Sequence, residues 1–286
     1  MDLTNINEIK TLLSRHGFRF SKSKGQNFLT AAWVPEDIAG AAGLDGQTGV
    51  LEIGPGIGCL TEQLSERAGK VVSVELDTAL RPVLAETLAG RNNVEIVYGD
   101  ALKLNIPKLL DEKMPGMRHV VCANLPYNVT GPVISKLLKC RCFDSVTVMI
   151  QREVARRICA RPGTGEYGEF TVFVNWYARP EMLFDVPPDC FIPQPKVTSS
   201  VIRLDCRVSP PVEVKSEAMF MRVVRAAFAQ RRKTLLNALS TGFGELSKDE
   251  VEKCLLDSGF DPKVRGEVLS IGEFAKIADA FFTVLD

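Results

Sequence analysis

Short apolar runs recur along the first two hundred residues, separated by stretches with helical spacing. Val50–Ile53, Val71–Leu76, Val94–Tyr98, Val120–Ala123 and Val146–Ile150 each read as buried strands. Helical segments begin near Leu60 after the first run and extend through Leu84 after the second. Strands alternating with helices predict a parallel, doubly wound α/β sheet of Rossmann-like character, covered on both faces. The pattern changes over 180–205. There Pro187, Pro188, Pro193 and Pro195 stiffen a loop flanked by two strand-like runs, Glu181–Val186 and Ser199–Leu204. A hairpin-like pair at the sheet edge is predicted. Beyond Pro210 and Pro211 the periodicity is helical, over Met219–Leu239, Lys248–Ser258 and Ile271–Val284. The expected boundary lies near 206–212, giving an α/β domain over 1–207 and a small helical domain over 208–286.

Composition changes this picture little. A chain of 286 residues with 45% hydrophobic content supports one large domain or two. Thirty-five basic and thirty-five acidic residues cancel, so any binding of a polyanion must show as local charge. The polar start, Met1–Leu13, argues against a signal peptide, and no apolar run of membrane-spanning length occurs. Eight scattered cysteines without CxxC spacing read as reduced, packed thiols rather than as a disulfide framework or a metal site. A cytoplasmic, metal-free protein is the expectation, and the absence of a heptad repeat favours a monomer. His16 and His119 belong to no catalytic or metal-binding set.

The most suggestive turn is Leu51-Glu52-Ile53-Gly54-Pro55-Gly56-Ile57-Gly58, between the first strand and its helix. Glycines there permit a tight turn and close approach of a ligand to the backbone. The spacing is GxGxG, not the dinucleotide GxGxxG. Glu52 would repel a pyrophosphate but suit a sulfonium, and Pro55 offers no N–H to a phosphate. These features favour S-adenosylmethionine over a dinucleotide. Glu75, 17 residues past Gly58, ends the second strand and can accept from both ribose hydroxyls. Asp100, after the third strand, can accept from the cofactor's adenine amino group.

After the fourth strand comes Ala123-Asn124-Leu125-Pro126-Tyr127-Asn128. Its Asn-Leu-Pro-Tyr core matches the amino-methyltransferase signature. The lone pair of an exocyclic adenine nitrogen is delocalised into the ring. Two acceptors on its hydrogens, the Asn124 side-chain oxygen and the Leu125 carbonyl, would localise it. Pro126 fixes the direction of that carbonyl, and Tyr127 offers a face on which an extruded base can stack. Phe191, in the proline-rich loop, either closes on the base's other face or plugs the core.

These segments occur in order with Gly25-Gln26-Asn27-Phe28-Leu29, Glu75-Leu76-Asp77, Gly99-Asp100-Ala101, Phe191-Ile192-Pro193-Gln194-Pro195-Lys196-Val197 and Gln230-Arg231-Arg232-Lys233-Thr234-Leu235. As a set they resemble the ribosomal RNA adenine dimethyltransferase family, specifically its small-subunit branch, from about Arg19 to the C-terminal helices. The resemblance implies N6,N6-dimethylation of two adjacent adenines in a hairpin loop near the 3′ end of small-subunit (16S) ribosomal RNA. It implies four S-adenosylmethionine molecules consumed, S-adenosylhomocysteine released, and a pre-assembled small ribosomal subunit as partner late in its biogenesis. It implies cofactor contacts at Asn27, Leu29, Gly54, Glu75, Asp100 and Asn124, and base stacking at Tyr127 and Phe191. The large-subunit (23S) antibiotic-resistance branch shares the architecture. The Gln230–Thr234 segment and the full Phe191–Val197 loop favour the small-subunit branch. A mainly non-catalytic ribosome assembly factor is a further alternative, which the intact Asn124–Tyr127 loop opposes.

Three basic groups are candidate phosphate contacts, each of which taken alone reads more readily as a solvated face. Arg222, Arg225, Arg231, Arg232 and Lys233 fall in an acid-free stretch from Ala218 to Gly244. Arg152, Arg156 and Arg157 follow the fifth strand. Lys10, Arg15, Arg19, Lys22 and Lys24 make a basic N-terminal arm, with no acid between Glu8 and Glu36.

Overall fold

The computed structural model describes residues 1–20 and 25–286; Lys22 and Lys24 of the expected basic arm lie outside the described residues. The chain opens with helix α1 (Ile6–Arg15), capped by the Asn5 side chain, which accepts from the Asn7 and Glu8 amides. Ile9, Leu12 and Leu13 on its inner face are buried. The first part of the expected basic arm is therefore helical. The segment is an amphipathic helix docked on the sheet unit, and Arg15 and His16 at its end are bonded to Glu86, His16 Nε2 at 2.7 Å.

Strand β1 (Phe28–Leu29) and helix α2 (Trp33–Ala41) follow. The α/β alternation then begins: β2 (Thr48–Ile53), α3 (Cys59–Ser65), β3 (Lys70–Glu75), α4 (Arg81–Thr87), β4 (Val94–Tyr98), α5 (Ile106–Lys113), β5 (Arg118–Asn124), α6 (Thr130–Lys139) and β6 (Ser145–Gln151). Helices α7 (Arg152–Ile158) and α8 (Glu169–Tyr177) precede the edge strands β7 (Ala178–Val186), β8 (Phe191–Ile192) and β9 (Ser199–Cys206). Helices α9 (Glu217–Ala229), α10 (Leu235–Gly242), α11 (Lys248–Asp257) and α12 (Ile271–Leu285) end the chain.

Seven strands form one sheet in the order β4-β3-β2-β5-β6-β9-β7. The pairings from β4 through β6 are parallel, and β9 joins β6 and β7 antiparallel. The fold is thus the Rossmann-like α/β sheet expected, with its antiparallel pair at one edge. Every residue of β2 is buried, which is why the strand reads as an unbroken apolar run with Glu52 in its midst. Chain progression reverses between β2 and β5. A crevice opens at such a switch point, beyond the carboxyl ends of the strands. Separately, β1 pairs with β8, matching Phe28 with Ile192 and Leu29 with Phe191. Two residues per strand are too few for a periodic signal, so this pairing was invisible in the sequence.

The chain divides into two compact units, Met1–Ala155 with Ala178–Cys206, and Arg156–Tyr177 with Arg207–Asp286. The second unit thus takes in a stretch that the expected single cut after residue 207 assigned to the α/β domain. The physical reason lies in α8 and the loop before it. The fully buried Trp176 stacks on Phe220 of α9, ring centroids 4.1 Å apart. Tyr167 donates to the Leu269 carbonyl at 2.8 Å, and Tyr177 to Glu217 at 2.5 Å. The single helix expected over Met219–Leu239 is likewise two. Gln230–Lys233 leave the helical path, and Thr234 starts α10 by accepting from the Asn237 amide. Capping boxes at Ser247/Glu250 and Ser270/Glu273 start the last two helices.

Candidate active site

A cleft of about 1100 Å³, counting its open mouth, lies at the carboxyl ends of β2, β3, β4 and β5. Its first wall is the turn after β2. Gly54, Gly56 and Gly58 have φ of 73°, 60° and 93°, left-handed conformations that side chains resist. At Gly56 a Cβ would also lie 3.1 Å from the Phe28 ring, so the turn must be bare for the 25–29 segment to close over it. That segment, Gly25 to Leu29, lines the cleft from the other side.

Glu75 ends β3 in the cleft wall. Its carboxylate accepts from the Asp77 amide at 2.7 Å and the Gly56 amide at 3.4 Å. Burial raises its pKa, and these backbone bonds oppose the rise. Beside it Leu76 is 60% exposed, and Leu102, on the turn after β4, is exposed as well. An apolar side chain left open at a strand end is a signal that the sequence reading passed over. Asp100 lines the same end and accepts from the Leu102 amide at 2.9 Å. Gln26, also missed, donates to Asp77 at 2.8 Å and ties the 25–29 segment to the loop after β3.

At the other end, Asn124, Leu125, Pro126 and Tyr127 leave β5 and line the cleft. Asn124 Nδ2 donates to the Asn27 carbonyl at 3.4 Å, a weak bond that turns the side-chain oxygen the other way. Leu125 is buried, and its amide donates to the Met149 carbonyl at 3.2 Å. Pro126, at φ −57°, accepts on its carbonyl from the Val129 amide and the Thr130 hydroxyl. The Tyr127 hydroxyl shares a 2.7 Å hydrogen bond with Ser199 on β9, which holds the half-buried ring in place. Asn27, Leu29, Gly54, Glu75, Asp100 and the Asn124–Tyr127 loop therefore converge on one cleft.

Two expectations are corrected. Phe191 does not line the cleft. It is 3% exposed, its backbone pairs with Leu29, and its ring joins the core with Val186 and Cys190. Glu52 does not face a ligand either. It is fully buried, with Oε2 accepting from Ser73 at 2.6 Å and Thr61 at 2.7 Å. Burial pushes its pKa up to about 7 against the pull of these hydroxyls. Side chains alternate faces along a strand, so the acid one residue before Ile53 is directed between β2, β3 and α3. Its use as an argument for a cationic cofactor fails, and Glu75 remains as the cleft's buried acid.

The basic residues of the helical unit are mostly engaged. Arg222 pairs with Glu245 at 2.6 Å and lies over the Phe243 ring; Arg225 is 3.6 Å from Glu169. Arg231 donates to the Gly165 and Tyr167 carbonyls. Arg232 and Lys233 are exposed on the turn between α9 and α10, with no side-chain partner among the described residues. In the sheet unit Arg152 is 3.5 Å from Asp185. Among the described residues there is no cluster suited to a metal ion and no helix long and apolar enough to cross a membrane.

The chain is similar to known proteins. The family described as "Ribosomal RNA adenine dimethylase" matches residues 17–281. The chain is 47% identical over 283 residues to "Ribosomal RNA small subunit methyltransferase A" of Geobacillus thermodenitrificans, covering 98% of this chain and 97% of that one. It is also 47% identical over 277 residues to the protein of the same name from Clostridium botulinum, covering 96% and 99%. Among solved structures it resembles a dimethyladenosine transferase from Plasmodium falciparum, with TM-score 0.73, 26% identity, and 87% and 95% of the two chains covered. It also resembles the 23S rRNA methyltransferase ErmE, with TM-score 0.66, 27% identity, and 88% and 98% covered. With its Rossmann-like methyltransferase sheet, its helical C-terminal region and its ordered motifs, the chain belongs to the ribosomal RNA adenine dimethylase family.

Proposed function

We propose that this protein dimethylates the N6 amino group of two adjacent adenines in small-subunit ribosomal RNA, with S-adenosylmethionine bound in the cleft and S-adenosylhomocysteine released. The observation that carries the reading is a single cleft, with an acid-and-apolar end at Glu75, Leu76, Asp100 and Leu102, and the Asn124–Tyr127 loop at its other end. The residues suit the cofactor. Glu75 can take the ribose hydroxyls, and Asp100 the adenine amino group. Leu76 and Leu102 offer apolar faces to the adenine ring, and the glycine turn lets the backbone come close. When bound, S-adenosylmethionine supplies an electrophilic methyl group.

The chain's own residues prepare the nucleophile. The Asn124 side-chain oxygen and the Leu125 carbonyl accept from the two amino hydrogens of an extruded adenine and localise the nitrogen lone pair. The bond from Asn124 Nδ2 to the Asn27 carbonyl keeps the oxygen of that amide toward the base. Pro126 holds the direction of the Leu125 carbonyl, and the anchored Tyr127 ring receives the base face. After each transfer the spare proton leaves to water, so no strong base is required. Orientation and preorganised acceptors carry the rate. After the first methylation one N–H remains, which either acceptor can hold for the second.

The small-subunit relatives match at 47% identity across nearly the whole chain, against 27% for ErmE, and this supports the small subunit as partner over the large one. The protein is proposed to act as a monomer in the cytoplasm, where it meets the assembling subunit. Methyl transfer from labelled S-adenosylmethionine to undermethylated small subunits, with large subunits alongside, tests the reading. Dimethyladenosine is expected in small-subunit RNA alone. Asn124→Ala should lower kcat by about 10²- to 10³-fold, the usual cost of a lost transition-state contact. Label in large-subunit RNA would overturn the substrate assignment.

A further inference from the structure

The turn from Asp100 to Leu104 is held from outside as well as from within. Internally, Asp100 Oδ1 accepts from the Leu102 amide, and the Asp100 carbonyl accepts from the Lys103 and Leu104 amides at 2.8 and 3.1 Å. The carbonyls of Leu102 and Leu104 are both taken by one donor, Lys136 Nζ, at 2.7 and 2.6 Å. Lys136 stands on α6, three residues after Val133, so the two share a helix face. Val133 lines the cleft, and the Lys136 stem borders an apolar seam formed with Ala101, Leu102, Ile106 and Leu137. At its first residue the same helix is bonded to the loop after β5, through Thr130 to the Pro126 carbonyl. Helix α6 is therefore tied at Thr130 to the loop that holds the target base and at Lys136 to the turn that carries Asp100.

A long ammonium side chain loses conformational freedom when it is held at its tip. Two charge-assisted bonds to carbonyls of one turn are strong enough to hold it, and among the described residues no carboxylate competes for it. We propose that Lys136 is a positioning residue, whose ammonium sets the place of the Asp100–Leu104 turn against α6 and so shapes the subsite for the cofactor's adenine. The proposal rests on the cofactor reading of that end of the cleft.

Calorimetric titration with S-adenosylhomocysteine, steady-state methyl transfer to small subunits, and hydrogen exchange of the Ala101–Leu104 amides test it together. Lys136→Met should raise the Kd for S-adenosylhomocysteine and the KM for S-adenosylmethionine about tenfold, the scale of losing hydrogen bonds to a charged group. At saturating cofactor kcat should stay within about twofold, and exchange should quicken in the turn. Lys136→Arg, whose guanidinium can reach two carbonyls, should recover most of the affinity. Lys108→Met, on the exposed face of α5, should behave as the unsubstituted protein. Unchanged Kd and KM in Lys136→Met overturn the proposal. So does a loss confined to kcat and melting temperature, which marks a merely structural lysine. Should the Met variant not fold, Lys136→Gln replaces it, and an unchanged Kd there overturns the proposal equally. If the unsubstituted protein binds no S-adenosylhomocysteine, the cofactor reading falls first and this proposal with it.

Discussion

The cleft of the sheet unit and the basic surface of the helical unit use charge in opposite ways. In the cleft, position along the backbone settles what a side chain can reach. Glu75 ends β3, its carboxylate is fixed by two amides, and Asp100 and Asn124 sit at equivalent strand ends. In the helical unit five cations share an acid-free stretch of sequence, yet three are engaged by groups distant in the chain: Glu245, Glu169, and the carbonyls of Gly165 and Tyr167. Residue type at a strand end is a geometric statement. A run of like charges is only a composition, and its partners are set by packing that the run does not encode. Exposed ion pairs of this kind contribute little to stability, so an arriving phosphate can displace them at small cost.

The largest effect on cofactor binding is expected where position is most constrained. Glu75→Gln keeps the shape of the strand end but removes the charge and one acceptor. It should weaken S-adenosylmethionine binding by about 10- to 100-fold with kcat at saturation little changed, measured by titration and by methyl transfer. A change under threefold would break the assignment of Glu75 to the ribose.

Glu52 comes next, since it is the same residue type on the neighbouring strand with no ligand to serve. Its folded pKa is about 7 against an ordinary value of 4.5. Its contribution is fully present below the unfolded pKa, where the carboxyl is neutral in both states. It is lost as pH rises from the unfolded pKa through the folded one, because the unfolded chain ionises freely there while the buried carboxyl keeps its proton. Between pH 4.5 and 7 the cost reaches up to about 3 kcal/mol. Glu52→Gln cannot ionise, so its melting temperature relative to the parent should climb from pH 5 to pH 8. A flat difference across that range would show that Glu52 is charged throughout or linked to another group.

A smaller effect separates the cations. Replacing Arg232 and Lys233 together by Ala should weaken binding to small subunits about tenfold and reduce the slope of log K against log salt by about 1.5. Arg222→Ala with Arg225→Ala should lower the slope less, since Glu245 and Glu169 already offset those charges. Equal slopes for the two double variants would mean that pairing in the free protein does not govern which cations meet RNA.

Much of the fold was legible because it is written in periodicities. Five apolar runs gave the parallel strands, and the proline-flanked pair gave the antiparallel edge. The cleft was legible through its glycine turn and strand-end polar residues. What failed had local physical causes. The face of Glu52 turned on a one-residue register within β2, which a fully buried strand does not reveal because both its faces are apolar. The basic arm hid a helix whose buried residues, Ile9, Leu12 and Leu13, are few and spaced among polar ones. The break at Gln230–Lys233 lacked Gly or Pro and rests on the cap at Thr234. The placing of 156–177 with the C-terminal helices depends on Trp176 and Phe220, a pairing across more than forty residues that periodicity does not carry.

Of the two aromatics expected around the base, Phe191 gives the smallest effect. Tyr127 lines the cleft with its hydroxyl anchored to Ser199, whereas Phe191 is buried beside Leu29, Val186 and Cys190. If Phe191 serves packing, the nearly volume-conserving Phe191→Leu should cost only about 1 kcal/mol of stability and leave kcat within about twofold. Tyr127→Leu, which removes the stacking face from the cleft, should reduce transfer far more while melting near the parent. A Phe191→Leu variant that melts normally but transfers as poorly as Tyr127→Leu would mean that the ring leaves the core when the base arrives. The β1–β8 pairing would then have to open during the reaction, because Phe191 cannot leave its place without disturbing the strand that pairs with Leu29. Fast amide exchange at Phe28 and Ile192 on RNA binding would report that opening, and protected amides there would keep Phe191 in the core.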